Sequence, residues 1–366
     1  SRHTSSGASR PMYEDLARRC LDGEVRAVAR FVSLLEDGDR RAYNAMSAFA
    51  STMGKAQILG ITGPPGSGKS TLTDKLIGYF RGQEKKVAVI AVDPSSPFSG
   101  GAILGDRLRM QGHAVDPGVY IRSLASRGQL GGLSKATAFA VRVLEAAGYD
   151  IVIIETVGVG QSEIDIVKVA DTVVLVSVPG LGDDIQVIKA GIMEIGDIFV
   201  VNKADRDGAD RVVREIRAML ETQAALKRGK SPSAGPDTLA LRSAELLHHG
   251  QTGAAPSSQI EQIEAEELPP VMKTVAETGE GVPELGARIL SRFEGDRLSG
   301  ALESRRLSSI KAQLKDIAAW QLLDLFADSG GDGRLDSLAE AVHSRSMDIY
   351  GAAKKLTATL VKGEQA

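Results

Sequence analysis

The sequence predicts an α/β fold: a mostly parallel sheet wrapped by helices, with helical extensions at both ends. Short apolar runs recur from residue 57 onward: "QILGIT" (57–62), "KVAVIAVD" (86–93), "IVIIET" (151–156), "DTVVLVSVP" (171–179) and "DIFVVNK" (197–203). None alternates strictly, which suits strands buried on both faces. Amphipathic stretches near 70–80, 133–147, 184–194 and 207–223 separate these runs, and strand–helix alternation of this kind builds a parallel sheet. Outside this core the period changes to that of helices. Leu16, Val25, Val28, Phe31, Leu34 and Leu35 mark the first extension, and Leu307, Ile310, Leu314 and Ile317 mark the last.

In chain order, residues 1–11 ("SRHTSSGASRP") are polar and Gly/Ser-rich and are expected to form a disordered leader. Residues 12–55 form an N-terminal helical extension and 56–296 the core domain. Within that domain 224–267 is an insertion, because "KRGKSPSAGPD" is turn-forming and "HHGQTGAAPSSQ" is loop-like. "PPVMKTVAETGEGV" (269–282) restores a strand and a loop, and residues 297–366 form a C-terminal helical arm. The spacing in that arm fits a core face or an oligomer seam.

Composition narrows the function classes. Of 366 residues 43% are hydrophobic but only 4% aromatic, so the core is mainly aliphatic. A formal net charge of −3 gives no general attraction to nucleic acid or to an anionic membrane. The longest apolar runs are too short to span a bilayer. Cys20 stands alone, so no disulfide forms within the chain, which fits a reducing compartment. The expectation is a cytoplasmic protein, or one of the mitochondrial matrix if the source is eukaryotic.

"GITGPPGSGKST" carries the strongest chemical signal. Gly63, four residues, then Gly68, Lys69 and Ser70 lie between a strand and a helix. Such a loop aims backbone N–H groups at a phosphate. Pro64 and Pro65 have no N–H, so the cradle falls to Gly66, Ser67, Gly68, Lys69, Ser70 and Thr71. Lys69 can reach the outer phosphates, and the Ser70 hydroxyl suits Mg²⁺. "NKAD" (202–205) follows an apolar strand. A carboxylate at Asp205 accepts the two donors on the guanine edge, which adenine lacks, and so selects GTP and GDP. Asn202 would tie loops together and contact the base, while the Lys203 stem packs on its face. "TVAETG" (274–279) stands where GTPases place an amide that reads the guanine oxygen, with Ala276 the candidate.

Asp93 and Glu155 both close apolar strands, and two carboxylates there, facing Ser70, would hold Mg²⁺. Glu reaches one methylene further than Asp, so Glu155 can act from a slightly more distant strand. Gly158 lets backbone approach the γ-phosphate. Val159 stands where signalling GTPases have a water-orienting Gln, which implies slow intrinsic hydrolysis, with Gln161 or Asp106 as substitutes. "DSGGDGRLDSLAE" (328–340) fails as a calcium loop, because Gly330 and Ala339 occupy ligand positions, and reads as a loop. His248 and His249 read as a solvated pair.

Together "GPPGSGKST", "VDPSSPFSGGAILGDR", "ETVGVGQSE", "VPGLGDDIQVIKAG" and "NKAD" resemble the GTPases associated with methylmalonyl-CoA mutase, the MeaB/ArgK type. The resemblance implies a P-loop GTPase domain flanked by helical extensions, and a homodimer formed through the C-terminal arm. It implies a chaperone of a cobalamin-dependent acyl-CoA mutase that gates cofactor loading and protects or rescues the mutase, with GTP hydrolysis as timer. It makes "VDPSSPFSGGAILGDR" a first switch, with Asp106 catalytic beside Lys69 and Glu155 and close to Mg²⁺. "PGLGDDIQVIKAG" becomes a further switch, with Asp183, Gln186 and Lys189 as couplers to the mutase. The rival readings are a metallochaperone GTPase for nickel or cobalt enzymes and a kinase of amino-acid transport components. The first usually shows a His-rich tail or a Cys cluster, and the second needs an acceptor site.

Overall fold

The computed structural model describes residues 10–52, 54–94, 111–113, 115–126, 135–156, 166–180, 195–229, 268–328 and 331–362. Its helices begin with α1 (Arg10–Leu21), α2 (Val25–Glu36) and α3 (Arg40–Ala45), so the first helix starts within the expected leader. The sheet holds β1 (Gln57–Thr62), β2 (Val87–Pro94), β3 (Val119–Ser126), β4 (Ile151–Thr156), β5 (Thr172–Ser177), β6 (Ile198–Val201) and β7 (Val271–Lys273). Between and after them run α4 (Lys69–Arg81), α5 (Lys135–Ala146), α6 (Ala209–Gly229) and α7 (Val282–Leu298). The chain closes with α8 (Ala301–Asp328), α9 (Gly331–His343) and α10 (Ile349–Lys362).

All strand pairings in the sheet are parallel, in the order β3-β2-β4-β1-β5-β6-β7. The chain moves outward from β1 to β2 and β3, returns with β4, then continues on the other side of β1 with β5. The reversal falls at β1, and ligands collect at the carboxyl ends of strands beside such a point.

Both sheet faces are covered, which explains the unbroken apolar runs. Ile58, Ala88, Ile90, Val152 and Ile154 share a core with α1, α2 and α5, including Val28, Phe31 and Leu144. The alternate residues Leu59, Ile61, Val89, Ile153 and Val176 pack with Leu72, Leu76 and Phe80 of α4 and Leu285 and Ile289 of α7. Leu175, Phe199 and Val201 form a third cluster with α6.

The structure adds two elements that the sequence did not suggest and corrects two expectations. β3, "VYIRSLAS", was not anticipated; it is an edge strand interrupted by Arg122, whose guanidinium donates to Ala29 O, Ser33 Oγ and Glu36 Oε2 of α2. α7 fills residues left unassigned between the restored loop and the C-terminal arm, because Pro283 at its start and Gly286 and Gly295 within it mask the helical period. Gly286 is needed there, since a Cβ would enter the Tyr79 ring of α4. α6 continues to Gly229, into the stretch assigned to the insertion. Residues 331–340, expected to be a loop, are helical in α9, where Leu335, Leu338 and Val342 keep the spacing that three nearby glycines hide.

Two compact units result, one ending at Leu302 and one starting at Glu303. In the second, Leu307, Ile310 and Leu314 lie exposed along α8. Among the described residues no helix is long and apolar enough to cross a membrane.

Candidate nucleotide site

β1 ends at Thr62, and the loop from Gly63 to Gly68 turns directly into α4. Glycine is required at two points. Gly63 has φ +142°, and a Cβ there would run into the carbonyl of Val176. Gly68, the N-cap of α4, has φ +85°, and its Cβ would run into Asn202 Nδ2. The loop is therefore drawn tight between the ends of β5 and β6, leaving its amides and the start of α4 as an anion cradle. Ser67, Lys69 and Ser70 are buried and Thr71 is half-buried.

Lys69 Nζ donates to Gly63 O at 2.6 Å and to Pro64 O at 2.9 Å. The ammonium thus lies over the loop that precedes it, where two carbonyl dipoles solvate its charge. The Ser67 hydroxyl is buried and has no hydrogen-bond partner. Ser70 Oγ donates to Glu155 Oε1 at 2.5 Å across the end of the sheet.

Glu155 does not act from a more distant strand, contrary to the expectation from its longer side chain. β4 is the immediate neighbour of β1, with Ile61 and Glu155 as register partners. It is β2, carrying Asp93, that lies one strand further out. Asp93 stands two positions beyond Ala91, the β2 partner of Glu155. Asp93 belongs to β2 by its backbone, but its side chain lies outside the described residues, as do Asp106, Gly158, Gln161, Asp183, Gln186, Lys189, His248 and His249.

Asn202 follows β6 and is buried. Its Nδ2 donates to Ser67 O at 2.9 Å, and its Oδ1 accepts from Thr274 Oγ1 at 3.1 Å and from Ala276 N at 3.0 Å. The Ala276 amide is thus given to Asn202 here, where the sequence had it facing a base oxygen. Thr274 was missed by sequence reasoning; its one signal was a hydroxyl at the end of the last strand run. Lys203 adopts φ +54°, and its Nζ reaches back to Gly66 O at 2.9 Å. Asp205 is exposed just beyond. Three segments far apart in sequence are thereby tied together at this end of the sheet: Glu155 binds Ser70 at the start of α4, Asn202 and Lys203 bind the loop, and Thr274 and Ala276 bind Asn202.

The family model for the methylmalonyl-CoA mutase-associated GTPase MeaB matches residues 26–330. The chain belongs to this family. As a MeaB-family GTPase it binds GTP and GDP and hydrolyses GTP to GDP and phosphate. A protein of Pyrococcus abyssi named as a GTPase is 43% identical over 352 residues, covering 96% of this chain and 98% of that one. A fused isobutyryl-CoA mutase of Geobacillus kaustophilus is 38% identical over 213 residues, which are 56% of this chain but 20% of that one. The crystal structure of a LAO/AO transport system kinase superposes with a TM-score of 0.59 at 25% identity, covering 98% of this chain and 99% of that one.

Proposed function

We propose that this GTPase is a chaperone of a cobalamin-dependent acyl-CoA mutase, in the first place methylmalonyl-CoA mutase, gating cofactor loading and protecting or reactivating the enzyme. The observation that carries the reading is the fused isobutyryl-CoA mutase: a stretch similar to this chain makes up one part of a mutase polypeptide. Fusion holds two modules at high effective concentration, and separate chains of the same kind reach the same arrangement by binding. On this reading the C-terminal arm, with its exposed Leu307, Ile310 and Leu314, forms a homodimer.

Asp205 selects guanine. Lys69 leaves the Gly63 and Pro64 carbonyls to pair with the outer phosphates. The Ser70–Glu155 pair, a hydroxyl against a carboxylate at 2.5 Å, is the hard-oxygen donor set that Mg²⁺ prefers. Ser70 and Glu155, with Asp93 and Asp106, would hold Mg²⁺, which neutralises charge on the β- and γ-phosphate oxygens. With Val159 in place of the orienting Gln, unassisted turnover is slow, and the mutase accelerates it by ordering the segment 177–191.

A pull-down tests the reading: a cobalamin-dependent mutase is retained on this protein, and differently with GDP than with a non-hydrolysable GTP analogue. Absence of retention in both nucleotide states, for methylmalonyl- and isobutyryl-CoA mutases alike, overturns it. The kinase alternative, favoured by the transport-system kinase structure, requires label from γ-labelled GTP to appear on a protein acceptor and not as free phosphate.

A further inference from the structure

β1 and β4 are linked by a second bond beyond Ser70–Glu155. Thr156 Oγ1 donates to Thr62 Oγ1 at 2.9 Å, and both threonines are fully buried. Ile61 and Glu155 are register partners, so Thr62 and Thr156 are the next pair along the same parallel ladder. Side chains alternate along a strand, so the two links lie on opposite faces of the sheet. Ile151 and Ile153, of the same parity as Glu155, pack on the α4 side. Val152 and Ile154, of the same parity as Thr156, pack on the α2 and α5 side.

The carboxyl end of β4 is therefore held from both sides: by α4 through Glu155, and by β1 through Thr156. The ladders to β1 and β2 hold the edges of the strand here, and the side-chain links bear on its local twist, where a small turn swings a terminal carboxylate by about an ångström, enough to reduce catalysis. Were Ser70 to turn its oxygen to a metal, its hydrogen bond to Glu155 would open while the threonine pair would stay made. We infer that the Thr156 hydroxyl, acting through Thr62, is a positioning group that keeps the Glu155 carboxylate aimed at the metal side of the nucleotide. The inference rests on the reading of Ser70 and Glu155 as metal-side residues. The two threonines touch neither nucleotide nor metal in this account.

The test measures GTP turnover against Mg²⁺ concentration, together with GDP affinity and thermal midpoint, for wild type, Thr156→Val, Thr156→Ser, Thr62→Val, the Thr62→Val/Thr156→Val double variant and Glu155→Gln. Each valine variant lowers kcat about tenfold and raises the Mg²⁺ needed for half-maximal turnover, while GDP affinity stays within about twofold. Thr156→Ser, which keeps the hydroxyl, behaves as wild type. The double variant loses no more than either single one, because both remove the same bond. Should valine at 156 prevent folding, Thr62→Val and Thr156→Ser carry the test. Wild-type kcat and Mg²⁺ dependence in a folded valine variant, while Glu155→Gln shifts both, overturn the positioning role. So do losses that multiply in the double variant. An unshifted Mg²⁺ dependence in Glu155→Gln overturns the metal-side reading beneath it.

Discussion

Asn202 Nδ2 donates to the carbonyl of Ser67 at 2.9 Å, so the turn proposed to read the base is fastened to the loop proposed to hold the phosphates. The same side chain collects Thr274 and Ala276 through its oxygen. A buried amide whose nitrogen donates to one segment and whose oxygen accepts from another fixes them in one arrangement, and leaving such a group unpaired costs about 1–3 kcal/mol.

Gly68→Ala tests this junction. The left-handed φ alone costs about 1–2 kcal/mol for a residue with a Cβ, and here that Cβ also displaces the Asn202 amide. GDP affinity falls by at least about tenfold in isothermal titration. Gly66→Ala, with positive φ but open space around it, loses less. Equal losses would show that the Asn202 contact does not matter.

Asp205→Asn weakens GTP and GDP binding by about 1–3 kcal/mol and favours xanthine nucleotides, whose 2-oxygen wants a donor. The check is a competition titration of GTP, XTP and ATP against wild type and variant. Equal wild-type affinity for ATP and GTP contradicts guanine selection by this carboxylate.

Lys69→Ala impairs nucleotide binding and turnover together, because the ammonium serves ground state and transition state alike. Asp106→Ala lowers turnover more than GDP affinity, since its proposed contact forms only near the γ-phosphate. Phosphate release and GDP titrations on the two variants separate the effects; unchanged release in both places the chemistry elsewhere.

Lys189→Ala leaves nucleotide affinity and unstimulated turnover nearly intact but loses most of the acceleration given by a mutase. A partner that binds the ordered form of 177–191 shifts its population, and the lysine is the charge proposed to differ between the two forms. Turnover is measured with and without a mutase that binds both proteins, and matching responses remove this segment from the relay.

Acid stability carries a separate signature. Burial disfavours the Asp39 carboxylate, yet hydrogen bonds from the Tyr13 hydroxyl at 2.6 Å and from Arg41 outweigh it, bringing its pKa from 3.8 to about 2. A carboxylate with a depressed folded pKa stabilises above its unfolded value, and that contribution disappears as the pH falls from 3.8 towards about 2. Asp39→Asn therefore flattens the loss of stability in that window, read as urea midpoints at successive pH values. A curve parallel to wild type contradicts the linkage.

The sheet was legible because strands buried on both faces leave unbroken apolar runs, and the phosphate loop because its glycines, lysine and serine have few other uses in that spacing. β3 escaped because an edge strand need not be apolar, and Arg122 belongs there as an anchor for α2 and not as a strand residue. α7 went unassigned because its glycines and proline blur the helical period, although Gly286 lets two helices approach, and α9 escaped because its glycines and aspartates resemble a calcium-loop pattern. At the site, single residues were legible but their partners were less so. The sequence reading has Glu155 facing Ser70, and the two are hydrogen-bonded, but nothing in the chain announces that Asn202 gathers Thr274 and Ala276, since that grouping depends on strand order. Strand order also decides which carboxylate stands next to β1, and side-chain length gave the wrong answer.

Arg122 sets a limit on how small a working piece of this protein can be. A fragment begun at β1 would keep every residue proposed above to bind nucleotide. It would lose Ala29, Ser33 and Glu36, leaving a half-buried guanidinium with nothing to bind, and it would bare the face that Val28 and Phe31 cover. Such a fragment would sediment as aggregate or require a solubilising partner. Homologues shortened in nature or by design are therefore expected to lose material after Leu302 before they lose α2.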